Sequence, residues 1–470
     1  MYQKGFETLS TEHTLPDLPV HGQIPAWLNG TLIRNGPGQF EVGDRRLTHW
    51  FDGFAQLHAF TISGGAVTYR TQFLKTRGYE AAKETGTISY AEFGTDPCRT
   101  TFQKIFSVFK LPSTDDFSLN ANVNITRLAG QMVALTEVAV PIAFDPETLD
   151  TLGVVDYEDA LNDVITTAHP HYDYRRRRQV NYLSHIGPVS AYKVYGLAEG
   201  STNRSVIGTH KTRQLAYMHS FGMSQNYAIL VETPFVVSPA DLLVGKAFMN
   251  ALHWKPNRGT IFTLIHLDTG EVEHYEGEAF ASFHHVNAFE EDGFLNVDLV
   301  CYDDALIYTL GFQLETILDK GERVPSGELR RYRIRLGSDR PAQREVLSPQ
   351  PMELPRINYR RFNTQPYRFA YGISNSLEHP DGFANQLVKA DVQAREAVVW
   401  REEGTYPGEP VFVAAPDATS EDDGVVLSVV LHGEAGTSFL LVLNAQTFTE
   451  LARVPVPHHI PFGFHGQFLS

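Results

Sequence analysis

FLLVLNAQTFTELARVPV, residues 439–456, reads as one apolar strand, a polar turn and a second strand. Its first segment is rich in β-branched and aromatic side chains. Its turn carries Asn, which tolerates φ > 0 and caps locally. The same figure returns in LHAFTISGGAVTYRTQF (57–73), AFDPETLDTLGVV (143–155), IFTLIHLDTGEVEHY (261–275) and LVKADVQAREAVVW (387–400). Between these hairpins no helices alternate with strands as a βαβ fold requires. Hairpins repeated along a long chain argue for radial repetition or for a sandwich. The repeats are degenerate and unevenly spaced, so a propeller with large insertions fits better than a tandem array. Two or three unrelated β-sandwiches are the alternative.

At 470 residues a length prior of about 150 residues per domain suggests about three domains. No low-complexity linker divides the chain, however, and the expectation is one domain over 1–470. With 42% apolar and 20% charged residues the chain can bury a large core and is not of disordered composition. A formal net charge of −16 repels phosphate backbones and argues against nucleic-acid binding. Cys98 and Cys301 are too few for a disulfide framework or a thiolate zinc site, and they suit a reducing cytosol. No secretory signal and no apolar run of the roughly 18–20 residues that span a bilayer is evident. The expected location is cytoplasmic, with peripheral membrane association, and no obligate protein partner is evident.

Two stretches break the strand rhythm. TTFQKIFSVFKL (100–111) places Phe102, Ile105, Phe106 and Phe109 on one helical face, and ADLLVGKAFMNALHWK (240–255) reads as a second helix. They are either ordinary core-packing helices or segments that dip into a lipid leaflet.

HExxH, GxSxG, Walker A and GxGxxG are all absent, which removes the usual zinc proteases, serine hydrolases and nucleotide enzymes. Of 19 histidines, four stand in apolar-aromatic settings beside turns: His169 in TTAHPHYD, His219 in YMHSFGMSQNY, His284 in FHHVNAFEEDGF and His465 in PFGFHGQF. They are far too widely spaced for a helical motif, but a toroid brings distant blades together on its axis. Four neutral imidazoles there would suit iron, copper or zinc.

These segments, with NGTLIRNGPG, THWFDGFAQLHAF, PYRFAYG, YPGEPVFVAAPDATSEDDGVVLSVV and the terminal PFGFHG, resemble the carotenoid cleavage oxygenases over essentially the whole chain. That family includes carotene-cleaving enzymes, apocarotenoid and stilbene oxygenases, and the vertebrate retinoid isomerohydrolase. The resemblance implies an all-β fold, a seven-bladed β-propeller capped at one end by loops and short helices (here about 96–115 and 235–256), with Fe(2+) on the axis. It implies that His169, His219, His284 and His465 are the iron ligands and the catalytic core. The motif positions favour His169 over His171 and His284 over His285. It implies that Glu137, Glu353 and Glu409 hold three of the imidazoles, each fixing a tautomer and strengthening its donor nitrogen. The implied substrates are O2 and a lipophilic polyene whose C=C bond is split into two carbonyl products. Thr136 would crowd the open side of the iron, and Phe93 and Phe51 would line the substrate tunnel. TDPCR (95–99) is similar to a PDPCK stretch that leads into the membrane-docking segment of the animal enzymes, which places the 100–111 stripe toward lipid. No lysine occurs between Lys110 and Lys193, which argues against a lignostilbene substrate. Leu354 stands where the isomerohydrolase has an aromatic, which argues against ester isomerisation.

Overall fold

The computed structural model describes residues 1–90, 93–95, 118–187, 189–238, 241, 248–320 and 324–470. Each of the five hairpins read from the sequence forms two adjacent strands of a separate antiparallel sheet. In 57–73 the turn falls on Gly64 and Gly65, both with positive φ (57° and 85°), and neither would meet another atom if it carried a Cβ. Conformation alone therefore selects glycine there.

Seven such sheets of four to six strands stand around an axis as the blades of a propeller, with two two-stranded ribbons beside them. Blade 2 is built from Asn124–Leu128, Gln131–Leu135, Ile142–Phe144 and Thr151–Val154. Blade 3 runs from the short inner strands Ile165–Thr166 and His171–Asp173 out to Arg204–Thr212. Blades 4, 5 and 6 begin on the axis with Gly222–Met223, His285–Glu291 and Glu353–Arg356. Blade 7 spans Thr405–Pro407 to Glu450–Val456, and blade 1 contains Gly30–Gln39, Phe54–Ser63 and Ala66–Phe73.

The ring is closed twice. The late strand Gly466–Leu469 pairs with Gly30–Gln39 as the innermost strand of blade 1, with Arg34 opposite Gly466. The early strand His21–Gly22 pairs with Glu450–Val456 as the outermost strand of blade 7. Each blade face packs on its neighbour. Ile33, Leu57 and Ala59 of blade 1 meet Ile125, Met132 and Ala134 of blade 2, all buried. Each fully buried Leu or Ile in such a seam contributes about 1.5–3 kcal/mol, so stability is spread around the ring.

Of the stretch 240–255, residues 240 and 242–247 lie outside the described residues, while Phe248–Ala251 forms a 3-10 turn and Leu252–Trp254 a strand that pairs with Phe235–Val237 in place of the expected helix. A waiting strand edge overrides the helical period. The stripe Phe102, Ile105, Phe106 and Phe109 lies outside the described residues. Among the described residues no helix is long and apolar enough to cross a membrane.

Candidate metal centre

The inner strands of blades 3, 4, 5 and 1 bring one imidazole each to the axis. His169 lies between the two inner strands of blade 3, and His219, His284 and His465 come just before or immediately at the start of the inner strands of blades 4, 5 and 1. Their loops are tied together. Thr167 Oγ1 accepts from the His169 amide (3.1 Å) and donates to the His219 carbonyl. Ser220 Oγ donates to the Phe283 carbonyl (2.6 Å) and accepts from the His285 amide (2.9 Å). The His465 carbonyl accepts from the Asn35 amide (2.9 Å), so this corner is held by the ring closure itself.

One ring nitrogen of each histidine lies within 4.8 Å of the other three. The Nε2 atoms of His169 and His219 are 3.0 Å apart, and those of His284 and His465 are 3.2 Å apart. With metal–nitrogen bonds of about 2.1 Å, two nitrogens at right angles around one ion lie about 3.0 Å apart. Three of the far nitrogens are already committed. His219 Nδ1 meets Glu137 Oε1 at 2.6 Å, His284 Nδ1 meets Glu353 Oε2 at 2.6 Å, and His465 Nδ1 meets Glu409 Oε1 at 2.7 Å. Imidazoles that donate Nδ1–H to carboxylates present bare lone pairs at Nε2. The lone pairs of His284 and His465 therefore point at each other, an arrangement that a cation between them relieves. The donor set fits a borderline first-row ion.

Burial and neighbouring charges favour the neutral, ligand form of His169, His219 and His465. Burial, then the neighbouring imidazoles, hold His169 and His219 well below the usual histidine range. Burial lowers His465 to about 4 against the pull of Glu409. The carboxyls differ among themselves. Burial pushes Glu137 up to about 8 despite the Tyr217 hydroxyl that donates to it at 2.8 Å. A dication beside it would favour the carboxylate. Burial also opposes charge on Glu353, but His284, the Tyr302 hydroxyl (2.7 Å) and the Leu354 amide (2.7 Å) outweigh it and hold the group low. On Glu409 burial is overcome by Arg356, Arg34 and His465, and the carboxyl sits far below its usual range.

His171 and His285 turn elsewhere. His171 is fixed between the Tyr359 hydroxyl (3.0 Å) and the Phe221 carbonyl (2.8 Å), and His285 Nδ1 meets Ser220 Oγ at 2.9 Å.

On one side, an apolar cleft of about 800 Å³ reaches His219, His284 and His465. Phe51, Phe283, Phe312 and Phe464 wall it, with Phe51 stacked on His219 at a ring separation of 6.0 Å. Leu354 lines it too, in a left-handed backbone conformation (φ 47°). Phe93 packs behind Phe51 and Tyr217, at 5.6 and 5.9 Å, and Thr136 is half-buried beside Glu137; neither is among the residues lining the cleft. A second, more polar cavity follows the inner strands along the axis and reaches His169, His284 and His465.

Sequence reading missed Tyr217, Tyr302 and Arg34. Their carboxylate partners lie 80, 51 and 375 residues away, and no local pattern records such pairings. Phe283 and Phe464 had a signal, since each directly precedes a histidine of the centre.

A seven-bladed propeller with four converging imidazoles on its axis, open to an apolar cleft, is a scaffold for metal-assisted chemistry on a lipophilic molecule. Residues 6–470 match the family model described as "RPE65: Retinal pigment epithelial membrane protein". The chain belongs to this RPE65/carotenoid oxygenase family. It is 36% identical to a "Carotenoid-cleaving dioxygenase, mitochondrial" of Macaca fascicularis, over 96% of this chain and 91% of that protein. It is 34% identical to a "Carotenoid isomerooxygenase" of Galleria mellonella, over 96% and 93%. Among solved structures, an ACO/RPE65 chimera and a cobalt-substituted Synechocystis ACO each superpose with a TM-score of 0.88, at 27% and 26% identity, covering 100% of this chain and 98% of theirs.

Proposed function

We propose that this protein is an iron(II)-dependent dioxygenase that splits a C=C bond of a carotenoid or apocarotenoid, adding one oxygen atom of O2 to each carbon and releasing two carbonyl products. The observation that carries this reading is the pair of facing imidazole lone pairs at the floor of an aromatic-walled cleft. The names of the curated relatives support the dioxygenase class and the polyene substrate.

His169, His219, His284 and His465 would hold the iron, and Glu137, Glu353 and Glu409 would fix three of those rings. A ferrous ion, when bound, supplies the means of engaging triplet O2 that a closed-shell alkene lacks. The chain does the positioning. Phe51, Phe283, Phe312 and Phe464 accept a flat conjugated chain by shape and keep water from the reacting bond. Among the described residues that line the cleft, Glu353 is the one carboxylate, and it is committed to His284 and Tyr302. A neutral polyene therefore meets no free charge there.

The deciding experiment is aerobic incubation of the iron-loaded protein with β-carotene and a set of apocarotenals under 18O2, with products trapped and analysed by LC-MS. Two labelled carbonyl fragments that together account for the substrate carbons are expected. Substrates left intact while iron is bound would refute the reading, and anaerobic conversion of a retinyl ester to a cis alcohol would move the protein to the isomerohydrolase branch. Glu353→Gln should weaken iron binding about 10- to 100-fold, the usual cost of losing a carboxylate behind a ligating histidine. Competition with a chelator measures this, and unchanged affinity would remove Glu353 from the centre.

A further inference from the structure

The three carboxylates behind the imidazoles are held on unequal terms. Glu137 receives the neutral Tyr217 hydroxyl, and Glu353 receives the neutral Tyr302 hydroxyl and the Leu354 amide. Among the described residues neither pairs with an arginine or lysine. Glu409, fully buried, instead faces two guanidiniums. Arg34 Nη1 bonds its Oε2, and Arg356 Nη1 approaches its Oε1 at 3.5 Å. Arg34 is itself 5% exposed, and its Nη2 donates to the carbonyl of Phe464, the residue before His465, at 2.8 Å. The Gly466 amide, on the other side of His465, donates to the same Glu409 oxygen at 3.0 Å. Arg34 thus grips both the carboxylate that orients His465 and the backbone that carries it.

A bare carboxylate lends negative charge to its imidazole and makes Nε2 a stronger donor. A carboxylate neutralised by a buried guanidinium orients the ring without lending that charge. Arginine stays protonated in proteins, so Arg34 is a fixed positive charge behind one corner of the centre. A fixed positive charge near a redox ion favours the less positive, reduced state, and in a desolvated setting the effect is weakly screened.

We propose that Arg34 is a positioning residue that sets the charge of the metal centre: by neutralising Glu409 it shifts the ferrous–ferric balance toward the ferrous form. The inference rests on the reading that the four imidazoles hold iron. It gives a protein whose proposed co-substrate is an oxidant a built-in means of keeping its ion reduced between turnovers.

The test uses the full-length chain as wild type, Arg34→Met, Arg34→Lys and Arg356→Gln, each loaded with iron under anaerobic conditions. Iron content is measured by elemental analysis, and the ferrous-to-ferric ratio by Mössbauer spectroscopy at one fixed solution potential with mediators. Arg34→Met is expected to lower that ratio at least ten-fold, which for a one-electron couple is about 59 mV. Arg34→Lys, which keeps the charge, should stay within about three-fold of wild type, and Arg356→Gln should lower the ratio about three-fold. A wild-type ratio in iron-loaded Arg34→Met overturns the inference. If Arg34→Met does not fold, a wild-type ratio in Arg356→Gln overturns it instead. A wild type that retains no iron overturns the iron reading itself and the inference with it.

Discussion

His219→Ala is expected to leave the protein folded, without retained iron and without detectable turnover. Four-ligand structural sites hold zinc with about 10–16 kcal/mol, so one ligand in four is worth about 3 kcal/mol, or about 10² to 10³ in affinity. The loss reaches further here, because the stack of Phe51 on His219 goes with the ring and the hydrogen bond to Glu137 goes with its Nδ1. Glu137 would then be left buried with only Tyr217. The seams of the blades are built from apolar side chains such as Ile33, Leu57 and Ile125 or Ile229, Leu264 and Val297, and do not include this imidazole. Elemental analysis after desalting, LC-MS of products and circular dichroism read the three parts separately. Stoichiometric iron with wild-type product formation would remove His219 from the site.

The second large effect falls on stability. A Cβ on Gly466 would lie 2.3 Å from the Ile33 carbonyl oxygen and 2.8 Å from Arg34 Cδ. Both belong to Gly30–Gln39, whose backbone pairs with Gly466–Leu469, so neither can retreat without opening the closure. Overpacking typically costs 1–3 kcal/mol, and this contact is with backbone, so Gly466→Ala should destabilise by about 3 kcal/mol and impair iron loading at the adjacent His465. Gly130→Ala is the comparison. It sits at a hairpin turn with φ 84° and nothing within 4 Å of an added Cβ, so the strained backbone alone should cost about 1–2 kcal/mol. Urea midpoints of the two variants against wild type check the difference. Equal shifts would mean that the closure is not tightly packed.

The outer strands were legible because they alternate and end in turns that local chemistry marks, as Gly64 and Gly65 do. The inner strands were not. Gly222–Met223 and Ile165–Thr166 are two residues long and buried or nearly so, which leaves no period to read. Yet these carry the histidines to the axis. The spacings between His169, His219, His284 and His465 mean nothing without the ring that folds them together; their apolar-aromatic settings beside turns set the four apart, and whole motifs that resemble a known family implied that they act together. The closing partnership of Gly466–Leu469 with Gly30–Gln39 spans almost the entire chain and has no local signature at all. The end of the stretch 240–255 departs from the helical reading for the opposite reason. Its apolar period is real, but the edge of Phe235–Val237 claims Leu252–Trp254 for a ribbon.

The double closure has a consequence for how the protein is made. His284 and His465 are separated by 181 residues, which at 5–20 residues per second is about ten to forty seconds of translation. Throughout that interval a ribosome-bound chain carries three of the four imidazoles and none of the last. It also lacks Glu409 for most of that time, so neither the final corner nor its counter-charge yet exists. Capture of the ion by the complete set must therefore wait until the seventh blade has emerged and the late strand has swung back onto the early one, making cofactor acquisition a checkpoint on finished assembly.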